Sequence, residues 1–262
     1  MYEQIDVGHY RSEPPALLNT LTEIPRALVE LGSLHALMPS LSMLRRGDEH
    51  PTLLIPGFMA GDGSLGMLKR YLRYLRYSPE TWGFGRNTGH PEHLFDHLPE
   101  KLAEMAEKWG EPVSLIGQSL GGVFARELAR EFPQYVRQVI TMGSPFGVRN
   151  SAVTMRALSH LYEASSGKTI DDMVAIMRDR NTHESPDVPV TAIYSKGDGV
   201  VHWSSCMETD EDHHTQNIRV PGSHCGMAFN GAIYYIIADR LSQDVSSWQH
   251  FNWRPSARTS AS

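Results

Sequence analysis

Three side chains in this sequence have the chemistry of a nucleophile, a base and an orienting acid: Ser119, His224 and Asp198. Ser119 lies in Gly117-Gln118-Ser119-Leu120-Gly121, a G-x-S-x-G pattern. The pattern joins an apolar strand, VSLIG (113–117), to a helix, SLGGVFARELAREFP (119–133). Glycines two places before and after the serine suit a turn so sharp that a side chain at either position would strike its neighbours. The serine is left strained, with its hydroxyl raised above the sheet edge. Such a hydroxyl attacks a carbonyl carbon when a base is within hydrogen-bond reach and a carboxylate orients that base. Asp198 sits in the turn KGDGVV after the strand VPVTAIYS (188–195), and His224 in PGSHCGM after the strand NIRV (217–220). Nucleophile, acid and base thus follow one another on loops behind strands, where open parallel sheets gather their sites.

Attack by Ser119 would put negative charge on the substrate oxygen, which preorganised backbone N–H groups have to meet. Leu120, the residue after the nucleophile, offers one donor. The loop PGFMAGDGSLG after the strand TLLI (52–55) offers the second, through Phe58 or, alternatively, Met59. That loop also contains GDGSLG (61–66), which matches the dinucleotide fingerprint G-x-G-x-x-G. Its context is wrong for a cofactor. Pro56 to Ala60 separate it from the strand, and the acidic residue about 20 positions on, Glu80, precedes a strand instead of ending one. No cofactor is expected. DEDHH (210–214) places its carboxylates and imidazoles consecutively on a polar loop, which does not converge them on one ion, so no metal is expected. SGKT (166–169) lacks the upstream glycine of a phosphate loop, and His202 reads as a pocket-wall residue. Cys206 and Cys225 do not have metal-site spacing; they pair as one disulfide or remain thiols.

The elements that must position these residues follow from periodicity. From Pro51 onward short apolar strands alternate with amphipathic helices, which predicts an α/β fold with a mostly parallel sheet covered on both faces. TWGFG (81–85) reads as a further short strand, PEHLFDHLPEKLAEMAEKWG (91–110) as a helix and NGAIYYIIADRLSQ (230–243) as the closing helix. Residues 1–50 form a leading segment in which Pro25 and Pro39 interrupt a leucine-rich pattern, predicting two or three short helices packed on the body. The body spans 51–250. Between Ser144 and Pro186 the alternation is broken by helical material, TIDDMVAIMRDR among it, which reads as a cap or lid. Residues 251–262 end in SARTSAS and read as a disordered tail.

The chain has 262 residues and a formal net charge of −6, which argues against nucleic acid or a strongly anionic membrane as its partner. No apolar run approaches the ~20 residues that a membrane-spanning helix needs. The first residues lack a basic stretch followed by an apolar one, so a cytoplasmic location is expected.

LIGQSLGG, MGSPF, YSKGDGVV and GSHCGM resemble their counterparts in the α/β-hydrolase superfamily, more narrowly in its lipases and carboxylesterases. The resemblance covers roughly residues 50–243. PGF is similar to the oxyanion loop of such lipases, with Pro-Gly where His-Gly is common there. The resemblance implies an eight-stranded sheet with one antiparallel edge, and cofactor-free hydrolysis of a hydrophobic ester by Ser119, His224 and Asp198. Phe58 and Leu120 would form the oxyanion hole. Their nearness in sequence to the site makes Met59, Phe146, Met155, Met173 and Met177, with Phe58, the expected apolar acyl pocket. An acyltransferase on the same triad and a non-catalytic binding member of the fold are the alternatives.

Overall fold

A parallel strand buried on both faces has to be covered by helices on each side, and the computed structural model builds the chain in that way. It describes residues 14–90, 93–146, 163–164, 167, 169, 172, 184–209, 211 and 214–253. Among these, six strands form one sheet: β1 Pro51–Ile55, β2 Ser78–Thr81, β3 Val113–Gln118, β4 Val136–Met142, β5 Val190–Tyr194 and β6 Thr215–Arg219. Their order is β2-β1-β3-β4-β5-β6 and every neighbouring pair is parallel. The antiparallel edge that the resemblance implies is not among the described residues.

Side chains alternate between the two faces of each strand, as the pleat requires. Leu53, Ile55, Leu115 and Val139 join one core with α4 (Leu98–Trp109) and α5 (Leu120–Glu131). Leu54, Ile116, Ile140 and Ile193 join another with α2 (Glu23–Leu41), α3 (Gly66–Tyr74) and α6 (Gly231–Leu241). No helix of the described residues is long and apolar enough to cross a membrane.

Three local expectations are corrected. TWGFG is not the second strand; β2 lies just before it, and Trp82 is a fully buried core residue whose N–H donates to Leu54 O at 3.0 Å. Pro79 is tolerated in β2 because this strand is at the sheet edge. The leading segment is not cut at its prolines. A short α1 (Leu17–Leu21) precedes one 19-residue helix, α2. Pro25 falls in the first turn, where a backbone N–H has no intrahelical acceptor, and Pro39 falls in the last. The ordered body also runs beyond residue 250. Phe251 is buried and exchanges hydrogen bonds with the side chain of Gln216, at 2.6 Å and 3.0 Å.

The expected lid falls almost wholly outside the described residues, but both its flanks are held by one side chain. Arg126 of α5 is fully buried, with its guanidinium 3.9 Å over the Phe146 ring and a bond to Glu184 O at 3.0 Å. It also pairs with the buried carboxylate of Glu208. Removing one member of a buried pair leaves the other charge uncompensated, at a cost of about 3–5 kcal/mol. Glu208→Gln is therefore expected to lower unfolding stability in urea by that amount, and an unchanged midpoint would contradict the pairing.

Candidate active site

The elbow is steric in origin. A Cβ at position 117 would strike the backbone of Gly121 and Gly122, and one at position 121 would strike the Ile55 and Pro56 carbonyls at the end of β1. With both places reduced to hydrogen, α5 starts directly behind β3. Ser119 between them takes φ 51° and ψ −123°, a backbone conformation that non-glycine residues rarely adopt. Its N–H is held by Met142 O at 2.8 Å.

Register places the loop after β1 beside this serine. Ile55 of β1 pairs with Gly117 of β3, and a Cβ on Gly57 would stand 3.2 Å from Ser119 Cβ. The chain leaves β1 and β3 in opposite directions across the sheet, so the crevice between their C-terminal ends is a topological switch point, the usual place for a ligand. Leu120 is the first residue of α5, where a backbone N–H has no partner within the helix. The Met59 N–H instead donates to Asn87 O at 2.7 Å, which removes Met59 as the second oxyanion donor in this conformation. Phe58 lies half-buried against the core at the same turn.

Asp198 and His224 come into direct contact. His224 Nδ1–H donates to Asp198 Oδ2 at 2.6 Å, while Asp198 Oδ1 accepts the N–H groups of Val200 and Val201 at 2.9 and 2.7 Å. One carboxylate thus shapes its own turn and orients the imidazole. Gln118, adjacent to Ser119, donates to His224 O at 3.3 Å and joins the elbow to the histidine loop. Burial lowers the pKa of His224. The charge of Asp198, the hydrogen bond to it and the charge of Glu23 outweigh that effect and hold the pKa above its ordinary 6.5.

The remaining expected residues are placed unevenly. Phe146 is buried with Arg126 covering one ring face, so only its other face can meet a substrate. Met155, Met173 and Met177 lie outside the described residues. Cys206 and Cys225 are free thiols, the first buried and the second exposed. His202 bonds Ser204 Oγ at 2.8 Å through Nδ1, within the loop that follows Asp198. No three His, Cys, Asp or Glu among the described residues are grouped to hold a metal; Asp210, Asp212 and His213 lie outside them.

A second acid–histidine–serine chain exists at the opposite end of the sheet. Asp48 Oδ1 meets His50 Nδ1 at 2.5 Å, and His50 Nε2 meets Ser114 Oγ at 3.0 Å. His50 and Ser114 are completely buried and lie at the N-terminal ends of β1 and β3, so no substrate carbonyl can reach Ser114 Oγ. Burial, and after it the charge of Arg137, hold the His50 pKa below its usual value.

No protein-family model matches the sequence, and no curated protein does. Solved structures do. A structure of the metagenome-derived lipolytic enzymes LipS and LipT aligns at TM-score 0.58 and 13% identity, over 76% of this chain and 94% of that one. The chain has the α/β-hydrolase fold. Bacillus licheniformis lipase BlEst2 aligns at TM-score 0.56 and 16% identity, over 77% of this chain and 95% of that one. Aspergillus fumigatus lipase B aligns at TM-score 0.56 and 17% identity over 75% of this chain, which spans 53% of that longer protein.

Sequence reasoning misses four polar residues around this candidate site. Buried Asn87 props the loop after β1, donating from Nδ2 to Pro56 O at 2.8 Å and from its backbone to Ala60 O at 2.8 Å. Glu23, Arg26 and Glu30 reach the Asp198 and His224 loops from α2. They are the sole charged residues between Pro15 and Leu44, spaced i, i+3, i+7 on one helix face, and that spacing is the legible signal.

Because His224 is raised by its partner, the pair stabilises the fold fully below the unfolded value near 6.5 and loses that contribution as pH rises through the folded value. In NMR titration His224 is expected to ionise above pH 6.5 in the wild type. In Asp198→Asn, where burial prevails, it should ionise below 6.5. An unchanged midpoint would contradict the assignment.

Proposed function

We propose that the protein is a serine carboxylic ester hydrolase acting on hydrophobic esters, an esterase or lipase working through an acyl-enzyme. The observation that carries the reading is the 2.6 Å Asp198–His224 bond on loops beside the strained Ser119 elbow. The fold's likeness to lipolytic enzymes supports it.

In this reading His224 Nε2 takes the Ser119 hydroxyl proton as Oγ bonds to the ester carbonyl carbon, and the C=O electron pair moves onto oxygen. The Leu120 amide and the Phe58 amide receive that oxyanion, in a site already oriented before charge develops. Asp198 holds the tautomer with Nδ1 protonated and stabilises the imidazolium. Collapse of the intermediate expels the alkoxide, which takes the proton from His224 and leaves an acyl group on Ser119. Water then enters, gives its proton to His224 and attacks the acyl carbon, and the acid leaves as Ser119 recovers its proton. The raised pKa of His224 makes it a stronger base and puts the acid limb of activity above pH 6.5.

Hydrolysis of p-nitrophenyl esters of graded chain length, combined with fluorophosphonate labelling, tests the proposal. Ser119→Ala is expected to lose labelling and at least about 10³-fold in kcat. Ser114→Ala, in the buried chain at the other sheet end, is expected to keep both. Equal labelling of the wild type and Ser119→Ala would overturn the proposal.

A further inference from the structure

The helix α2 lies across the two loops that carry the acid and the base, and one buried carboxylate touches both. Glu23 Oε1 accepts the N–H of Gly199 at 2.8 Å, one residue beyond Asp198, and the N–H of His224 itself at 3.1 Å. Oε2 accepts the N–H of Cys225 at 2.9 Å. We propose that Glu23 is a positioning residue for the Asp198–His224 pair, fixing the separation of the loops that bear them. The inference rests on the serine-hydrolase reading and extends it to a residue outside the triad.

The sheet ladder stops at Val220 N–H to Tyr194 O, 2.9 Å, and Ser195 Oγ then bridges the two loops at their bases by donating to Gly222 O at 2.7 Å, short of the acid and the base. Asp198 lies four residues beyond the end of β5 and His224 five beyond the end of β6, where ladder bonds no longer constrain the backbone. The neighbours of Glu23 on the helix serve the same two loops. Arg26 donates to Gly197 O at 2.7 Å and Gly222 O at 3.4 Å, and also to Glu23 Oε1 at 3.0 Å, which orients the carboxylate. Glu30 accepts the Ser223 N–H at 2.7 Å. A Cβ at Gly199 would strike the backbone of Asn19 and Thr20, so this loop is shaped to receive the helical strap.

Docking of α2 does not rest on this network alone. Leu34 and Leu41 anchor the helix in the core shared with α3 and α6, and Tyr71 Oη donates to Leu41 O at 3.2 Å. The buried carboxylate is left with the task of satisfying backbone amides of both loops at once. Misplacing catalytic groups by about 1 Å costs about 10²-fold, so loosening this junction should appear in kcat.

The experiment compares wild type, Glu23→Ala, Glu23→Gln and Leu102→Ala on p-nitrophenyl butyrate, with melting curves for each. Leu102 is a core residue of α4 on the other face of the sheet and reports destabilisation alone. Glu23→Ala is expected to lose about 10- to 100-fold in kcat with KM within about threefold. Glu23→Gln keeps one acceptor oxygen and should recover part of the loss, while Leu102→Ala melts earlier with its kcat retained. The charged groups facing His224 are Asp198 and Glu23, with Arg26 behind Glu23 and the Cys225 thiol adjacent. Removing the Glu23 charge therefore moves the acid limb of kcat/KM to lower pH in Glu23→Gln, a shift that no purely structural role produces. A Glu23→Ala kcat within about twofold of wild type, an unmoved acid limb in Glu23→Gln, or an equal kcat loss in Leu102→Ala overturns the inference. Fluorophosphonate labelling of Ser119 in the wild type separates the two readings. Without it the hydrolase reading fails and this inference with it; with it, the inference stands or falls alone.

Discussion

The close approach of the β3–α5 turn to the end of β1 is the constraint on which the site depends. A carbonyl oxygen of Ile55 occupies the space a side chain at 121 would need, and the backbone of Gly121 fills the space at 117. Glycine at both places lets α5 begin directly behind the sheet, which forces Ser119 into its strained positive-φ conformation and brings its Cβ against Gly57. Ser119 and the loop after β1 are therefore neighbours for one reason. The same contact that strains the serine sets the turn beneath the first helical amides. Replacing either glycine would disturb packing and chemistry together.

Asp198 and His224 are held differently. They lie four and five residues beyond the ends of β5 and β6, and polar groups locate them. Asp198 divides its oxygens between its own turn and His224, Gln118 reaches the His224 carbonyl, and α2 covers both loops. A sheet supplies strand ends at fixed spacing, but the last few ångströms between side chains are set by such buried, satisfied bonds. The second chain, Asp48–His50–Ser114, illustrates the converse. Its contacts are of similar length, yet it sits where no substrate can enter and joins the beginnings of β1 and β3.

Much of this was legible in the sequence because the chemistry dictates local spacing. The elbow needs small residues at fixed offsets from its serine, and the acid and base each follow an apolar strand. β1, β3, β5 and β6 read directly from their apolar runs. β2 did not, because Ser78-Pro79-Glu80-Thr81 is a polar edge strand whose core anchor, Trp82, comes after it. The prolines of α2 read as breaks, yet Pro25 stands in the first turn, where no N–H is needed, and Pro39 comes only two residues before the helix ends. The contacts of Glu23 and Asn87 span large separations in sequence, and periodicity carries no record of them.

The central claim is that Ser119 becomes covalently acylated during turnover. Acid-quenched samples taken while the enzyme consumes a p-nitrophenyl ester can be digested and mapped by mass spectrometry. The account predicts a mass increment equal to the acyl group on the peptide containing Ser119, absent from Ser119→Ala. Turnover with that serine unmodified, or an acyl group carried by another residue, would contradict it.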